Sequence, residues 1–587
     1  KETSHKNKMT EITMGLDAFN KPEEEKTSTP TKEPVIAHDL AKKQRDISIA
    51  EFFEKNRHLL GFDNKRKALL TTIKEAVDNS LDACDESGIL PEIEVVMTDM
   101  GNERFRISIE DNGPGIVKQQ IPKIFAKLLY GSKFHSLRQS RGQQGIGISA
   151  SVMYGQLTTG RAARITSKIG TGHPAHYYEL KINTQKNTPE IVKDETKEWN
   201  KNHGTKIEID LEGSYLKGSQ SVDEYLKQTA IINPHTTIIY VNPKGEQIIF
   251  PKATEQLPFQ PAEIKPHPYG VELGILMKML AWSNEKNVKL FLQREFSRVG
   301  SKTANDILEK AFIPPQTKTS RISRDMAEKL IDAIRNTRIM SPPTDCISPI
   351  GAELLEKGLK KEVNAEFYTS ITRPPSVYRG NPFVIEAALA YGGLLKAEGS
   401  VQLLRFANKV PLLYQQGACA YTESVGKTNW RPYGLQQSGN NLPQGACVIL
   451  IHIASVWVPF TSEAKEAIAH YPEIIKEIKL ALQELGRSLQ KYVSKKRRVK
   501  DELNKRGYIE KYIPAVAEAL KDILKYSDVE EKNVIELLEE LLEKNRGEVE
   551  DLDFDESKNL EYDEEFANIG KEESEEEEDE SSPEQDN

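Results

Sequence analysis

KEAVDNSLDA, residues 74–83, is the stretch on which the interpretation of the fold depends. At ~100° per residue, Glu75, Asn79 and Asp82 fall together on one face of a helix. An amide oxygen is a hard ligand for Mg²⁺ and a nearby carboxylate can deprotonate water, so this face suits a site for Mg²⁺ and phosphate. For this helix alone, a solvated polar face is the alternative and stays open. The opposite face is predicted to be buried because apolar residues recur on it at helical spacing: Leu70, Ile73, Val77, Leu81 and Cys84.

A turn rich in glycine follows the second of two predicted strands. The strands span 93–98 and 105–110, and the second alternates apolar with polar residues. It leads into Asp111-Asn112-Gly113-Pro114-Gly115. Two glycines one residue apart permit positive φ and the close approach of a flat ligand, and the aspartate can accept a hydrogen bond from an exocyclic amine. Taken alone, the segment also fits an ordinary tight turn.

A second glycine-rich segment reads GQQGIGIS at 142–149. We interpret it as a flexible lid that directs backbone N–H groups at a helix N-terminus toward phosphate oxygens. Residues 116–130 before it predict a helix with a buried side formed by Ile121, Ile124, Phe125, Leu128 and Leu129. Later strands would complete a mixed sheet with helices on one face, over 157–167, 177–182 and 205–211.

Length and composition restrict the class of protein to which the chain can belong. A chain of 587 residues, 38% hydrophobic and 29% charged, is expected to form about three or four folded units. No apolar run approaches the ~20 residues of a membrane span and no signal peptide opens the chain, so we expect a cytoplasmic protein without a membrane segment. The cysteines lack metal-binding spacing and are expected to be reduced thiols, at Cys84, Cys346, Cys419 and Cys447.

The formal net charge of -9 is distributed unevenly. Residues 547–587 carry 20 acidic residues against Lys558 and Lys571, a charge of -18, which leaves +9 on residues 1–546. A basic body with an acidic tail is compatible with a polyanionic partner but does not establish one. The composition of both ends of the chain predicts disorder.

Four motifs, in this order, resemble the Bergerat nucleotide-binding fold of the GHKL superfamily, which includes gyrase-type topoisomerases, heat-shock chaperones, histidine kinases and MutL. They are Glu75xxxAsn79xxAsp82, Asp111xGly113xGly115, Gly142xxGly145xGly147 and Gly204-Thr205. Residues 73–83 and the sequence RFANKVPLLYQQGACA at 405–420 are similar, more narrowly, to the B-subunit family of DNA topoisomerase VI, a type IIB topoisomerase. The likeness runs from residue 46 or so to near residue 505.

The resemblance implies a site for ATP and Mg²⁺. Glu75 would activate water as the general base, Asn79 would hold Mg²⁺ and Asp111 would bind the adenine amine. Asp82 would support the adenine side or the start of the helix. The other residues implied to contact the nucleotide are Gly113, Gly115, Ser132, Lys133, Gly142, Gln143, Gln144, Gly145, Ile146, Gly147, Ile148, Ser149 and Thr205.

The resemblance also implies an α+β multidomain fold with six successive regions. These are a disordered N-terminal extension (1–45), a GHKL ATP-binding domain of Bergerat fold with helices on one face of a mixed sheet (46–249), a helical helix–two-turns–helix domain (250–335), an α/β transducer domain (336–471), a long stalk helix with C-terminal helices (472–546) and an acidic disordered tail (547–587). The stalk helix is predicted to reach toward Lys505.

Two further predictions concern residues outside the ATP-binding domain. The switch loop at 458–468 would carry Lys465 to the γ-phosphate and would make it a catalytic residue, with Gln415 as a second candidate. Five basic residues of the helical insert could contact DNA phosphates or could be ordinary exposed charges, and both interpretations stay open: Lys286, Lys289, Arg294, Arg298 and Lys302.

The function implied by the resemblance is that of an ATP-operated clamp. Two copies would bind ATP, dimerise and drive one DNA duplex through a double-strand break in another, relaxing supercoils and decatenating DNA. No tyrosine stands in a context that marks a strand-breaking nucleophile, so a separate A subunit of topoisomerase VI would cut the DNA within an A2B2 heterotetramer. The alternative is a MutL-like repair or chaperone clamp that acts through partner binding without strand passage.

Overall fold

The structure is a computed structural model that describes residues 46–133, 136–142, 145–462, 464–525 and 527–546. From Ser48 onward, these residues belong to one compact unit. The predictions made for the two termini, and those for Gln143 and Gln144, lie outside the described residues. Within the described ranges, no helix combines the length and apolar character needed to cross a membrane.

The first part of the unit is a sheet of eight strands with helices packed against it. Its elements are α1 (Ile49–Lys55), α2 (Lys65–Glu86), β1 (Glu92–Asp99), β2 (Arg104–Asp111), α3 (Ile121–Ala126), α4 (Gly147–Thr159), β3 (Ala163–Lys168), β4 (Ala175–Asn183), β5 (Thr188–Lys197), β6 (Gly204–Glu212), α5 (Val222–Ile232), β7 (Thr237–Val241) and β8 (Gln247–Phe250). The strands lie in the order β5-β4-β3-β6-β2-β1-β7-β8. The pair β1–β7 is parallel and the other pairs are antiparallel, so the predicted mixed sheet is confirmed.

Local sequence explains the helix α2 and the strand β2. Asn64 caps α2, because its Oδ1 accepts a hydrogen bond from Lys67 N at 2.8 Å. The predicted apolar stripe of α2 is buried in the core, and so are Phe105, Ile107 and Ile109 on one face of β2. The periods of 3.6 and 2 residues in the sequence are therefore both confirmed.

Two predicted elements of this first part differ from the structure. The helix predicted over 116–130 spans only Ile121–Ala126. It ends there because Asn187 bonds both backbone groups of Leu128, accepting from its N–H and donating to its carbonyl at 3.0 Å each. Leu129, predicted to be buried, is exposed with a φ of 58°. The strand predicted to start at residue 157 starts at Ala163, because helix α4 continues to Thr159 and ends at the left-handed Gly160.

The insert after the sheet is helical. Its helices are α6 (Leu273–Trp282), α7 (Val288–Glu295), α8 (Ser301–Lys310) and α9 (Arg324–Arg335). They share their own core, in which Phe291, Ile307 and Leu330 are fully buried. The insert therefore packs as a separate cluster from the first sheet.

A second sheet forms the centre of the next region. The elements are α10 (Ala352–Glu362), β9 (Phe367–Thr372), β10 (Ser376–Tyr378), β11 (Asn381–Tyr391), β12 (Gln402–Ala407), β13 (Val410–Pro411), α11 (Ala420–Lys427) and β14 (Cys447–Ser455). The strand order is β10-β11-β14-β12-β13, with β9 also paired to β11. Every residue of β14 is buried, because α10 covers one side of the sheet while α11 and the next helix cover the other.

The last described elements are α12 (Pro472–Leu524) and α13 (Asp528–Arg546). The first turns of α12 pack on the second sheet through Ile474, Ile478 and Leu482. The predicted stalk helix is longer than expected, since its 53 residues pass residue 505 and Pro514 without a break. At ~1.5 Å per residue this is roughly 80 Å of helix, and its Lys-, Glu-, Leu- and Ala-rich sequence favours that continuation.

Candidate functional site

A cavity of about 640 Å³ lies where four segments meet: α2, the glycine turn after β2, the stretch that leads into the lid and the switch loop. We call the described residues of that stretch, 131–133 and 136–141, the lid segment. Two predicted residues, Gly113 and Ser149, do not line this cavity, and Gln415 is exposed outside it. The predicted residues that do line it are Glu75, Asn79, Asp82, Asp111, Gly115, Ser132, Lys133, Gly142, Gly145, Ile146, Gly147, Ile148, Thr205 and Lys465. The structure thus brings together segments that are far apart in the sequence.

Glu75 lies on α2 directly against the first residue of α4. A Cβ added to Gly147 would lie 1.7 Å from Glu75 Oε2, so only glycine leaves room for this carboxylate. The N-terminus of a helix carries partial positive charge, which favours a carboxylate beside it. The predicted general base therefore lies at the start of α4, the helix into which the lid leads.

Asp111, at the end of β2, is held by three donors. Ser80 Oγ donates to its Oδ2 at 2.8 Å, while Gly113 N and Thr205 N donate to its Oδ1 at 2.9 and 3.1 Å. Burial raises the pKa of Asp111, although these three hydrogen bonds oppose the shift. Gly113 therefore acts on the site by orienting this carboxylate and not by lining the cavity.

Asp82 holds the segment that leads into the lid. Lys133 Nζ donates to its Oδ2 at 2.6 Å and Arg141 Nη1 donates to its Oδ1 at 2.9 Å. Burial by itself would raise the pKa of Asp82, but Lys133 and Arg141 outweigh burial and lower it. The sequence did not predict these two ion pairs, and the expected support of the adenine side or of the helix start by Asp82 stays a prediction.

Lys465 reaches the cavity from the second sheet's domain. Its Nζ donates to the backbone oxygen of Arg141 at 3.1 Å, beside Gly142. The neighbouring Glu466 lies 2.5 Å from Lys67 Nζ of α2, and both side chains are largely buried. The switch loop is thereby tied to the lid segment and to α2 at one edge of the cavity.

A buried pair that the sequence does not predict lies beneath the site. Tyr225 Oη of α5 donates to Asp78 Oδ1 at 2.9 Å. Burial raises the pKa of Asp78 to about 7, with Lys74 opposing the shift and Glu75 adding to it. Spacing along α2 held no signal for this pair, because the partner comes from another helix.

Comparison with protein families agrees with this geometry. Residues 64–212 match the model described as "Histidine kinase-, DNA gyrase B-, and HSP90-like ATPase". Residues 342–505 match the model described as "Topoisomerase VI B subunit, transducer". The fold and the site thus define an ATPase of the gyrase and HSP90 class, with an ATP-binding domain joined to a transducer.

Curated relatives narrow the class to one family. The chain is 52% identical over 490 residues to the B subunit of type 2 DNA topoisomerase 6 from Methanococcoides burtonii, covering 83% of this chain and 79% of that protein. It is 51% identical to the protein of the same name from Methanosarcina barkeri, covering 85% and 80%, and 49% identical to that from Archaeoglobus fulgidus, covering 84% and 82%. The chain belongs to the family of type 2 DNA topoisomerase 6 B subunits.

Two solved structures are similar to the chain only weakly. The N-terminal domain of a DNA repair protein superposes with a TM-score of 0.34 at 14% identity, covering 71% of this chain and 94% of that one. The topoisomerase IV ATP-binding domain of Francisella tularensis, in complex with a small-molecule inhibitor, gives 0.33 at 12% identity, covering 85% and 98%. Scores this low carry no argument about function.

We expect Gly147→Ala to lower ATP hydrolysis by at least about 100-fold, the scale of a lost general base, because the new methyl group would displace the Glu75 carboxylate. The steady-state ATPase rate measures this. Gly172→Ala is the matched control, since nothing lies within 4 Å of its added Cβ, and it should keep the wild-type rate. A wild-type rate in Gly147→Ala would show that Glu75 does not depend on this contact.

We expect Asp78→Asn to flatten the dependence of stability on pH. The folded-state pKa of Asp78, about 7, exceeds its ordinary value of 3.8, so the folded protein binds more protons than the unfolded chain between these values. The stability from this group is complete below the ordinary pKa and is lost as the pH rises through 7. Thermal unfolding midpoints from about pH 5 to about pH 8 should therefore fall more in the wild type than in the variant. Parallel curves would contradict this.

Proposed function

We propose that ATP binding in this cavity joins two copies of the chain into a dimer and drives one DNA duplex through a break made in another by a separate A subunit. The observation that carries the proposal is the hydrogen bond of Lys465 to the lid segment. This bond joins a lysine of the transducer to the residue before Gly142, which supports a direct action of the nucleotide on the transducer. Relatives named as the B subunit of type 2 DNA topoisomerase 6 support strand passage.

The proposed chemistry uses the contacts of the cavity. Phosphoryl transfer chiefly needs positioning and neutralisation of charge. Glu75 takes a proton from the attacking water, and Lys465 with the backbone N–H groups at the start of α4 meets the phosphate oxygens. Asp111, oriented by its three donors, accepts a hydrogen bond from the adenine amine. The binding roles of the remaining lining residues stay predictions of the same proposal.

The donor set around the cavity fits Mg²⁺ held partly by the nucleotide. Asn79 is exposed toward the cavity on the helix that carries Glu75. Among the described residues, no group of three His, Cys, Asp or Glu side chains could hold a metal ion. Mg²⁺ is commonly bound by one or two protein oxygens with phosphates and waters, so we propose that Asn79 holds it with the triphosphate. Bound there, the ion would neutralise phosphate charge.

Double-stranded DNA is the proposed macromolecular substrate, and the helical insert is one proposed contact. Lys286, Arg298 and Lys302 are exposed on it, and basic side chains of this kind bind phosphates without sequence preference. Arg294 is also exposed but is paired with Glu285 at 3.1 Å, which makes it a weaker candidate. Lys289 is half-buried. Of the five predicted basic residues, these three exposed ones are therefore the strongest candidates for contact with DNA.

The proposed assembly is an A2B2 heterotetramer. A MutL-like clamp without strand passage is not favoured, because the transducer match over 342–505 is specific to the topoisomerase VI B subunit.

All four cysteines are unpaired and buried, which supports the proposed cytoplasmic location, where thiols stay reduced.

We expect Glu75→Ala to bind a non-hydrolysable ATP analogue like the wild type but to lose hydrolysis by about 100-fold or more, because the water would lack its base. Calorimetry with the analogue and a steady-state ATPase assay separate the two effects. Glu94→Gln on β1, outside the cavity lining, is the control and should hydrolyse normally. Full hydrolysis by Glu75→Ala would remove Glu75 from the base role.

We expect ATP-dependent relaxation of supercoiled DNA when the chain is mixed with a topoisomerase 6 A subunit, and none when either chain is omitted. Gel electrophoresis of the plasmid topoisomers measures it, and the analogue in place of ATP should allow at most one round. If the mixture hydrolyses ATP and binds DNA without changing its topology, the strand-passage proposal fails and the partner-binding clamp replaces it.

A further inference from the structure

Three consecutive residues before the lid glycine Gly142 bond to the transducer side of the molecule. The first, Gln139, is buried and pairs with the segment that enters the transducer. Its backbone N–H donates to Cys346 O at 2.8 Å, its Nε2 donates to Ser348 O at 3.3 Å, and its Oε1 accepts from Ser348 N at 2.6 Å. The Gln139 side chain thus completes a short strand-like pairing between the lid segment and the start of the transducer.

The second residue, Ser140, is held by the turn between β12 and β13. Asn408 Nδ2 donates to Ser140 O at 3.2 Å and also to Ser455 O at 2.9 Å. Asn408 Oδ1 accepts from Ser455 N at 2.9 Å. One buried amide therefore joins the lid segment to β14, the central strand of the second sheet.

The third residue, Arg141, connects α2 to the same turn. Its Nη1 donates to Asp85 Oδ2 at 2.8 Å, in addition to its bond with Asp82, and its Nη2 donates to Asn233 Oδ1 at 2.5 Å. Asn233 Nδ2 in turn donates to Lys409 O at 3.2 Å. The guanidinium is buried and donates through both Nη1 and Nη2, so the lid segment cannot shift without disturbing these bonds.

The contacts continue into the centre of the second sheet. Lys409 N donates to His452 Nε2 at 2.9 Å, so the ring proton lies on Nδ1 and is donated to Glu386 Oε2 at 2.9 Å. Both His452 and Glu386 are fully buried, on the neighbouring strands β14 and β11. A continuous chain of hydrogen bonds therefore runs from the lid segment to the middle of the sheet.

We propose that residues 139–141 and the Asn408–Lys409 turn form a second coupling link between the lid and the transducer, in addition to the bond of Lys465 to Arg141 O. The inference rests on the proposed ATP-driven function. Buried hydrogen bonds are directional and costly to leave unmade, so a polar joint has one preferred register where an apolar one could slide. Movement of the lid must carry the turn with it or break these bonds. In this link Asn408 is a positioning residue, since it does not line the ATP cavity.

The test compares two asparagines of the same backbone conformation. Asn408→Gly removes the amide that holds Ser140 while allowing the positive φ of 47°. Asn102→Gly is the matched control, because Asn102 has a φ of 53° in the exposed turn between β1 and β2. Asn408→Asp, nearly the same in shape but without the donor to Ser140, provides a second variant in case the glycine variant does not fold, as judged by thermal unfolding.

Two readouts test the link in the full chain. With the A subunit, DNA and ATP, Asn408→Gly should retain affinity for the ATP analogue but give at least about fivefold fewer strand passages per ATP hydrolysed, the low end of typical coupling energies. In the chain alone, adding the analogue should change hydrogen exchange at residues 408–412 in the wild type and in Asn102→Gly, and should change it less in either Asn408 variant, which keeps only the bond of Asn233 to Lys409 O.

The outcomes separate this link from the proposed function. A wild-type ratio of strand passage to hydrolysis in Asn408→Gly would overturn the link while leaving the topoisomerase proposal intact, and so would wild-type exchange changes in both Asn408 variants. If the wild-type mixture shows no strand passage, the proposed function fails, and the exchange experiment still decides whether nucleotide binding reaches the turn through Asn408.

Discussion

The ion pairs of Arg141 with Asp82 and Asp85 are the interaction on which the arrangement of the site depends. A guanidinium is costly to bury unless carboxylates pair with it, so the burial of Arg141 keeps the lid segment against α2. That helix also carries Glu75 and Asn79, and the carbonyl of Arg141 receives Lys465. One buried cation therefore sets the distances among the lid, the helix of the proposed base and the switch loop.

Close approach of the backbone explains why glycine recurs around the cavity. A Cβ on Gly115 would lie 2.0 Å from Lys168 O, and one on Gly204 would lie 2.2 Å from Asp111 O. Both residues also have positive φ, at 72° and 140°. The resemblance assigns Gly115 to the nucleotide, but the packing of the chain on itself already requires both glycines. The glycine pattern therefore reports the shape of the site as well as the nucleotide.

The core of the transducer and its boundary with the ATP-binding domain are held by different kinds of contact. Its sheet and the first turns of α12 share an apolar core, which makes them one rigid body. Its boundary with the ATP-binding domain combines polar contacts, through Lys465, Glu466 and the Asn408–Lys409 turn, with an apolar contact of Ile231 and Ile232 of α5 against the second sheet. Hydrogen bonds and ion pairs can be exchanged between two discrete arrangements, which is what a domain rotation needs. The long exposed part of α12 would carry such a rotation away from the sheet.

The sequence by itself determined the class of the fold, the helix of Glu75 and Asn79, and the glycine segments, because helical and strand periods and short motifs are local in the chain. It failed where a distant residue overrides local preference, as Asn187 does in ending the helix before Leu128. Only the tertiary structure turned Asp82 toward Lys133 and Arg141 and paired Asp78 with Tyr225, whereas the family resemblance already implied that Lys465 approaches the site. These contacts join segments that spacing cannot relate, since burial and charge pairing are decided by which elements meet in space.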